Sequence, residues 1–320
     1  MEIGGFFEIE IENGKKGFYS DLIAVNTGRN AIRYVVEASK YKVVYLPYYC
    51  CGCIADTLLN MGVECKYYHI DKELKPMNVY LAKDEAILVI NYYGQLRDEE
   101  ILGFKEKYKN IILDNTQSFF SRPIDGVDTV YSARKYFGVS DGAYVQSENK
   151  LDRPLERDFS VDRVIPMIGR FETFAKSYYM LQKQKEESLD GLDLLLMSKF
   201  TSAILGNIDY EKVKQIRETN FKFFHAKLEK INELNIVNDK ATFMYPLKIK
   251  NAAKIREWLI ANDIFIPVLW PELNQEELAS EFELSLREDV LNLPIDQRYD
   301  TEQLQLVVER ILLNIENPRL

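Results

Sequence analysis

Residues 86–114 read AILVINYYGQLRDEEILGFKEKYKNIILD, and this stretch decides the fold. Ala86 to Asn91 is an apolar run of the kind buried on both faces of a parallel sheet; Glu99 to Tyr108 predicts a helix, and Asn110 to Asp114 returns as a strand. The same alternation extends outward in both directions. Upstream, Thr27 is a capping residue that opens a helix through Glu37, Lys42 to Leu46 is a short strand, and Ile54 to Met61 is a helix ended by Gly62. Val63 to Ile70 is another strand, and downstream Val127 to Ser132 and Gly142 to Gln146 add two more. Strands joined through helices by short connections predict an α/β fold, with a large, mostly parallel sheet covered by helices on both faces. Ligands of such sheets sit at the carboxyl ends of the strands, so the residues that end each strand carry the functional reading.

Beyond Lys150 the texture changes to charged helices, from about Gly169 to Lys185 and from Tyr210 to Ile231. Strand Phe243 to Ile249, helix Ala252 to Asn262, strands Ile264 to Val268 and Val290 to Ile295, and helix Thr301 to Asn314 then predict a small C-terminal α+β domain. The expected division is a large domain over 1–205, with a helical extension from about 165, and a small domain over 206–320.

A hydrophobic content of 47% supports a sizeable core, and a net charge of -9 lacks the basic surface that nucleic acid or anionic membrane requires. No apolar run has the length of a membrane span, and Met1-Glu2-Ile3-Gly4-Gly5 lacks the regions of a signal peptide, so a cytoplasmic location is expected. Cysteines at 50, 51, 53 and 65 are too local to staple the chain. Cys50 and Cys53 have the spacing of a redox or zinc pair that Cys65 and His69 would complete; the alternative is small apolar residues packed at a strand end.

Three strand-end features stand out. Asp114, in Ile111-Ile112-Leu113-Asp114-Asn115-Thr116-Gln117, sets a carboxylate after an apolar strand, where it either meets a cationic partner or caps the following turn. Lys135, in Ser132-Ala133-Arg134-Lys135-Tyr136-Phe137-Gly138, sits among aromatic residues. Burial there lowers an amine's pKa and supplies the neutral nucleophile that Schiff-base chemistry needs, unless the lysine stem merely lies across the rings. Thr27-Gly28-Arg29 opens a helix whose free N–H groups suit a phosphate or belong to a plain capped helix. Phosphate-type turn, strand-end Asp and strand-end Lys occur in this order within one parallel sheet.

In these residues the chain resembles the DegT/StrS-like sugar aminotransferases, a branch of the fold-type I pyridoxal phosphate (PLP) enzymes, over nearly its whole length. Thr27-Gly28-Arg29-Asn30-Ala31-Ile32 is similar to the family's Ser-Gly-Thr-x-Ala-Leu phosphate segment, and Asp114-Asn115-Thr116-Gln117 to its Asp-x-Ala-Gln/His. In the latter the carboxylate meets the pyridine nitrogen and the last residue the ring hydroxyl. Ser132 and Lys135 resemble the phosphate-binding Ser and the Schiff-base Lys, and Asp141-Gly142-Ala143 the following Glu-Gly-Gly. Pro47-Tyr48-Tyr49-Cys50-Cys51 is similar to the stretch that supplies the residue stacked on the cofactor ring, which implies Tyr49 or Cys51. The Ser132 to Lys135 interval is two residues shorter than the family's, and the segment that sends an Asn to a neighbouring subunit's phosphate has no counterpart.

The resemblance implies a PLP-dependent aminotransferase, with Lys135 and Asp114 catalytic and Thr27, Gly28, Arg29, Tyr49, Cys51, Gln117 and Ser132 binding the cofactor, and no metal. Glutamate is the implied amino donor, and a keto sugar, nucleotide-linked, the acceptor, in amino-sugar or surface polysaccharide synthesis. A PLP lyase or acyl transferase, or a regulatory or binding protein that kept the scaffold, are the alternatives on the same fold. A homodimer is expected both from the family and from an apolar helical cluster, Leu192, Leu194, Leu195, Leu196, Met197 and Phe200, too broad for one subunit to cover.

Overall fold

A computed structural model describes residue 3 and residues 5–237, 240–273 and 275–316; most of the start read for a signal peptide lies outside them. The chain runs β1 (Ile23–Val25), α1 (Gly28–Ser39), β2 (Val43–Pro47), α2 (Gly52–Asn60), β3 (Glu64–Tyr68), β4 (Glu85–Ile90), α3 (Asp98–Tyr108), β5 (Ile111–Asp114), β6 (Asp128–Ser132) and β7 (Ala143–Gln146). It continues through α4 (Ile165–Glu172), α5 (Tyr179–Glu187), α6 (Lys199–Gly206), α7 (Tyr210–Leu228), β8 (Met244–Lys248), α8 (Ala252–Ala261), α9 (Glu281–Asp289), β9 (Val290–Pro294) and α10 (Thr301–Glu316).

The first seven strands form one sheet in the order β1-β7-β6-β5-β4-β2-β3. Every pairing from β6 to β3 is parallel, whereas β7 is antiparallel to both of its neighbours. Residues 85–90 are buried throughout, as a strand covered on both faces requires. Because β7 runs backward, its first residues lie beside the last residues of β1 and β6: Val25 and Ser132 both pair with Ala143. The register thus brings the turn before α1, the end of β6 and the Asp141-Gly142 turn to one edge of the sheet. Gly142 is needed there: its φ is +115°, its N–H donates to the Asn26 carbonyl at 2.5 Å, and a Cβ would meet Thr201 at 3.0 Å.

The C-terminal part has its own core, from Phe221 and Phe224 on α7 through Leu247 and Leu293 to Ile311 on α10, around the antiparallel pair β8 and β9. Three expectations need correction here. Ile264 to Val268 is not a strand. The Ile264 N–H instead caps α8 by donating to the Leu259 carbonyl, Pro267 has no N–H to offer a ladder, and its carbonyl is held by the Asn292 side chain at 3.0 Å. The helix read over Gly169 to Lys185 is two helices, α4 and α5. Thr173 turns its hydroxyl back onto the Gly169 carbonyl at 3.0 Å, and the Tyr178 ring packs where a Cβ on Gly169 would stand, which folds the chain back at this point.

The apolar run Leu192 to Met197 is extended rather than helical. Leu196 bridges to both Val25 and Arg157, and Leu194 and Met197 are buried in their own chain. The carbonyls of residues 192 and 193 are taken by the Asn30 and Asn26 side chains, so the segment continues the sheet edge instead of forming a helix, and only Phe200 lies in one, α6. This cluster therefore gives no motive for a partner subunit. Among the described residues, no helix is long and apolar enough to cross a membrane.

Candidate active site at the strand ends

Asp114 ends β5 and is 4% exposed, and its Oδ1 accepts the Thr116 N–H at 2.8 Å. This is the turn-capping contact, and it fixes how the carboxylate leaves the strand. Thr116 then faces two other strand-end elements. Its Oγ1 accepts a hydrogen bond from Lys135 Nζ at 3.0 Å, and its methyl group lies 3.6 Å from the position a Cβ on Gly28 would occupy, with Ser132 Cβ 3.8 Å from that same position. Three stretches distant in sequence, at 28, 114–116 and 132–135, thus converge on one space at the carboxyl edge of the sheet.

Lys135 closes a short 3-10 turn, Ala133–Lys135, directly after β6. Burial pushes its amine below the ordinary lysine range, against the opposing pull of Asp114 and Cys51. The Phe243 ring lies 5.6 Å from Nζ, and the Phe243 N–H donates to the Gln117 carbonyl at 3.1 Å, so the start of β8 floors the site. Tyr136, the residue after Lys135, is held through its carbonyl by Gln297 Nε2 at 2.8 Å and by the buried Arg217 guanidinium at 3.3 Å. These contacts reach from the C-terminal part of the chain into the lysine turn.

Gln117 is fully buried; its Oε1 accepts the Tyr93 N–H at 2.9 Å, while its Nε2 has no hydrogen-bond partner. An unpaired buried amide donor costs free energy unless a ligand takes it. At α1, Thr27 caps the helix by accepting the Asn30 N–H at 3.2 Å, which leaves the Gly28 and Arg29 N–H groups to point out of the helix end. The Arg29 side chain is engaged elsewhere, in an ion pair with Asp190. Burial would lower its pKa, but Cys53 and Asp190 raise it.

The two readings for a residue over the ring part company in space. Tyr49 is fully buried, its ring edge-on to Trp270 at 4.7 Å and its hydroxyl directed to the Leu286 carbonyl at 3.4 Å. Cys51, half-buried at the start of α2, feels the charges of Lys135 and Arg29. Asp141 serves the fold. Its carboxylate accepts the Ser198 N–H and hydroxyl, both at 2.7 Å, and the Thr201 hydroxyl, and so anchors the start of α6. Among the described residues no three His, Cys, Asp or Glu side chains stand close enough to hold a metal, so the geometry lends the zinc reading no support. His69 instead pairs with Glu283, at 2.9 Å.

Thr116, Phe243, Arg217 and Gln297 were not singled out from the sequence. Thr116 carried a signal, since it stands where the DegT/StrS pattern has alanine; the other three are fixed by tertiary contacts alone.

No known family profile matches the chain, and no curated protein sequence does. Solved structures do. NtdA from Bacillus subtilis, with bound cofactor PMP, superposes over 92% of this chain and 73% of its own at a TM-score of 0.68 and 17% identity. The chain has the fold of the sugar aminotransferases. DesI in the presence of its TDP-sugar product covers 93% of this chain and 81% of its own (TM-score 0.65, 11% identity). A DegT DnrJ EryC1 StrS aminotransferase from Brucella abortus covers 91% and 85% (TM-score 0.62, 14% identity). The mostly parallel seven-stranded sheet and its flanking helices thus match the fold of these aminotransferase structures.

Proposed function

We propose that this chain is a PLP-dependent aminotransferase that transfers the amino group of glutamate to a nucleotide-linked keto sugar, in amino-sugar or surface polysaccharide synthesis. The observation that carries the reading is the convergence of Lys135, the Asp114–Thr116 turn, Gly28 and Ser132 on one strand-end space, with the buried Gln117 amide left unpaired just after that turn. These residues fit the cofactor's parts. The helix-end N–H groups at Gly28 and Arg29, with Thr27 and Ser132, suit its phosphate; Asp114 suits a protonated ring nitrogen; Gln117 Nε2 suits the ring hydroxyl; and Lys135 suits the aldehyde carbon. Cys51 rather than Tyr49 is the residue for the ring face. The sugar substrate is supported by the likeness to DesI, solved with a TDP-sugar product.

When bound, PLP supplies an electron sink for the carbon that loses its proton. The chain's own residues do the rest. Asp114 holds a proton on the ring nitrogen by charge and hydrogen bonding. Lys135, whose pKa burial lowers, takes the proton from the substrate carbon and returns it. Thr116 holds the amine in place at 3.0 Å when it is released. The dry surroundings of β5 and β6 strengthen each of these contacts.

We also divide the chain into domains at 205/206, place it in the cytoplasm, and assign it a homodimer. The dimer is supported by exposed aromatic residues on and around α4 and α5, with Phe171 89% and Phe174 80% exposed. Sedimentation at several concentrations tests it: a monomer that transaminates at full rate overturns the dimer requirement. For the reaction itself, the visible spectrum of the PLP-loaded protein is recorded before and after adding glutamate. The reading requires the cofactor's visible band to be replaced by that of its aminated form; an unchanged band, or no band with PLP in excess, overturns it.

A further inference from the structure

The cysteine arrangement differs from the spacing that drew attention in the sequence. Cys50 is fully buried, and burial pushes its thiol up; Cys65 on β3 is pushed up to about 11 by burial and by Asp56 and Glu64. The pair in contact is Cys51 and Cys53, with their Sγ atoms 2.7 Å apart and both residues half-buried. Cys51 is the N-cap of α2, where the helix end favours negative charge. A hydrogen bond from the Cys53 thiol pulls the Cys51 thiol down, burial opposes this, and the charges of Lys135 and Arg29 add to the pull. The Cys53 thiol is raised, first by its hydrogen bond with Cys51 and then by burial. Two sulfurs in contact at a helix start, one of them drawn down, are the parts of a two-cysteine oxidation site.

We infer that Cys51 is an oxidation site for hydroperoxides, and that Cys53 resolves it as a disulfide at the mouth of the Lys135 site. In the first step the Cys51 thiolate attacks the terminal peroxide oxygen; the S–O bond forms, the O–O bond breaks, and the alkoxide leaves and takes a proton. In the second step Cys53 sulfur attacks Cys51 sulfur, the S–O bond breaks, and the departing hydroxide leaves as water with the Cys53 proton. Two thiols are oxidised by two electrons and one hydroperoxide is reduced to an alcohol and water. The sulfurs already touch, so closure demands little backbone movement; the short loop leaves the bond readily reducible. Oxidation removes the thiolate charge that raises the Lys135 pKa, so disulfide closure and cofactor attachment are coupled. The oxidation site stands on the cysteine geometry; the coupling rests on the proposed function.

The whole protein, without added cofactor, is treated with one equivalent of hydrogen peroxide and mapped by non-reducing peptide mass spectrometry. The expected product is a Cys51–Cys53 peptide lighter by two hydrogen atoms and restored by dithiothreitol. In Cys53→Ser, and in Cys53→Ala as a second variant, a sulfenic acid at Cys51 trapped by dimedone is expected instead. In the untreated wild type, iodoacetamide should label Cys51 at least about tenfold faster than Cys65. Oxidation of Cys65 first, equal labelling rates, or a Cys51 that stays reduced would overturn the inference. Because none of these readouts needs PLP, failure of the aminotransferase reading leaves them intact. With PLP added, the visible band should change on oxidation in the wild type and return when dithiothreitol reduces the disulfide; a band indifferent to the wild-type disulfide overturns the coupling alone.

Discussion

Replacing Arg217 by methionine should loosen the fold and the lysine turn together. Arg217 lies on α7 with 1% of its surface exposed. Its Nη1 donates to the Thr242 carbonyl at 3.0 Å and the Phe243 carbonyl at 3.3 Å, its Nη2 to the Tyr136 carbonyl at 3.3 Å, and its Nε to Gln297 Oε1 at 3.2 Å. Methionine keeps the stem's volume and removes the donors. The Tyr136 carbonyl keeps its bond from Gln297 Nε2 at 2.8 Å, so the loss falls on Gln297 Oε1 and on the Thr242 and Phe243 carbonyls at the entry to β8. Depriving a buried acceptor of its donor costs about 1–3 kcal/mol, and removing a buried charge returns part of that, so a net loss of about 2–3 kcal/mol is expected. Urea denaturation should show it as a lower midpoint with an unchanged slope. Because Phe243 also holds Gln117 and faces Lys135, affinity for PLP should fall with stability. A variant within about 0.5 kcal/mol of the wild type would refute the weight given to these contacts.

Asp114→Asn keeps the acceptor for the Thr116 N–H but loses the charge; kcat should fall roughly a hundredfold, the worth of a strong charge-assisted contact, with little change in urea midpoint. An unaltered rate rules out its role at the ring nitrogen. Thr116→Val removes the Lys135 acceptor, a bond of about 1 kcal/mol that favours the charged amine, so the pH midpoint for labelling Lys135 in cofactor-free protein should move lower; a midpoint that stays or rises contradicts the contact. Glu100 is drawn down to about 2: burial opposes this, but hydrogen bonds from Arg97 and Lys75 outweigh it. A carboxylate depressed in the folded state contributes stability above its unfolded pKa and loses it as pH falls through the folded one. Glu100→Gln should therefore remove, after allowance for solvent screening, on the order of 1 kcal/mol at pH 7 and almost none near pH 2, and equal losses at both pH values would refute the assignment.

The central strands were legible because burial on both faces writes an unbroken apolar run, as at Ala86 to Ile90 and Ile111 to Leu113. β1 has three residues, too few for any period. α9 was missed although Ser280 and Glu283 form a capping box that the sequence displays, because its own residues are polar and the Glu283 carboxylate is spent on Ser280, Ile70 and His69. The break between α4 and α5 depends on one ring, that of Tyr178, meeting Gly169, and no local pattern announces it. At the site, Asp114, Lys135, Gly28 and Ser132 were readable because strand ends are where this architecture gathers ligands. Their partners were not: Arg29 meets Asp190, and Arg217 meets Tyr136, across 161 and 81 residues of sequence.

Lys135 is the residue on which the proposed chemistry turns, and one measurement addresses it without any assumption about the sugar. The protein is loaded with PLP, reduced with borohydride, digested and mapped by mass spectrometry. A pyridoxyl group on Lys135 is the predicted result, since this lysine is half-buried, its pKa is lowered by burial, and Thr116 holds it beside Asp114. A pyridoxyl group on another lysine, or none at all on a protein that takes up PLP, would contradict the assignment of the strand-end site.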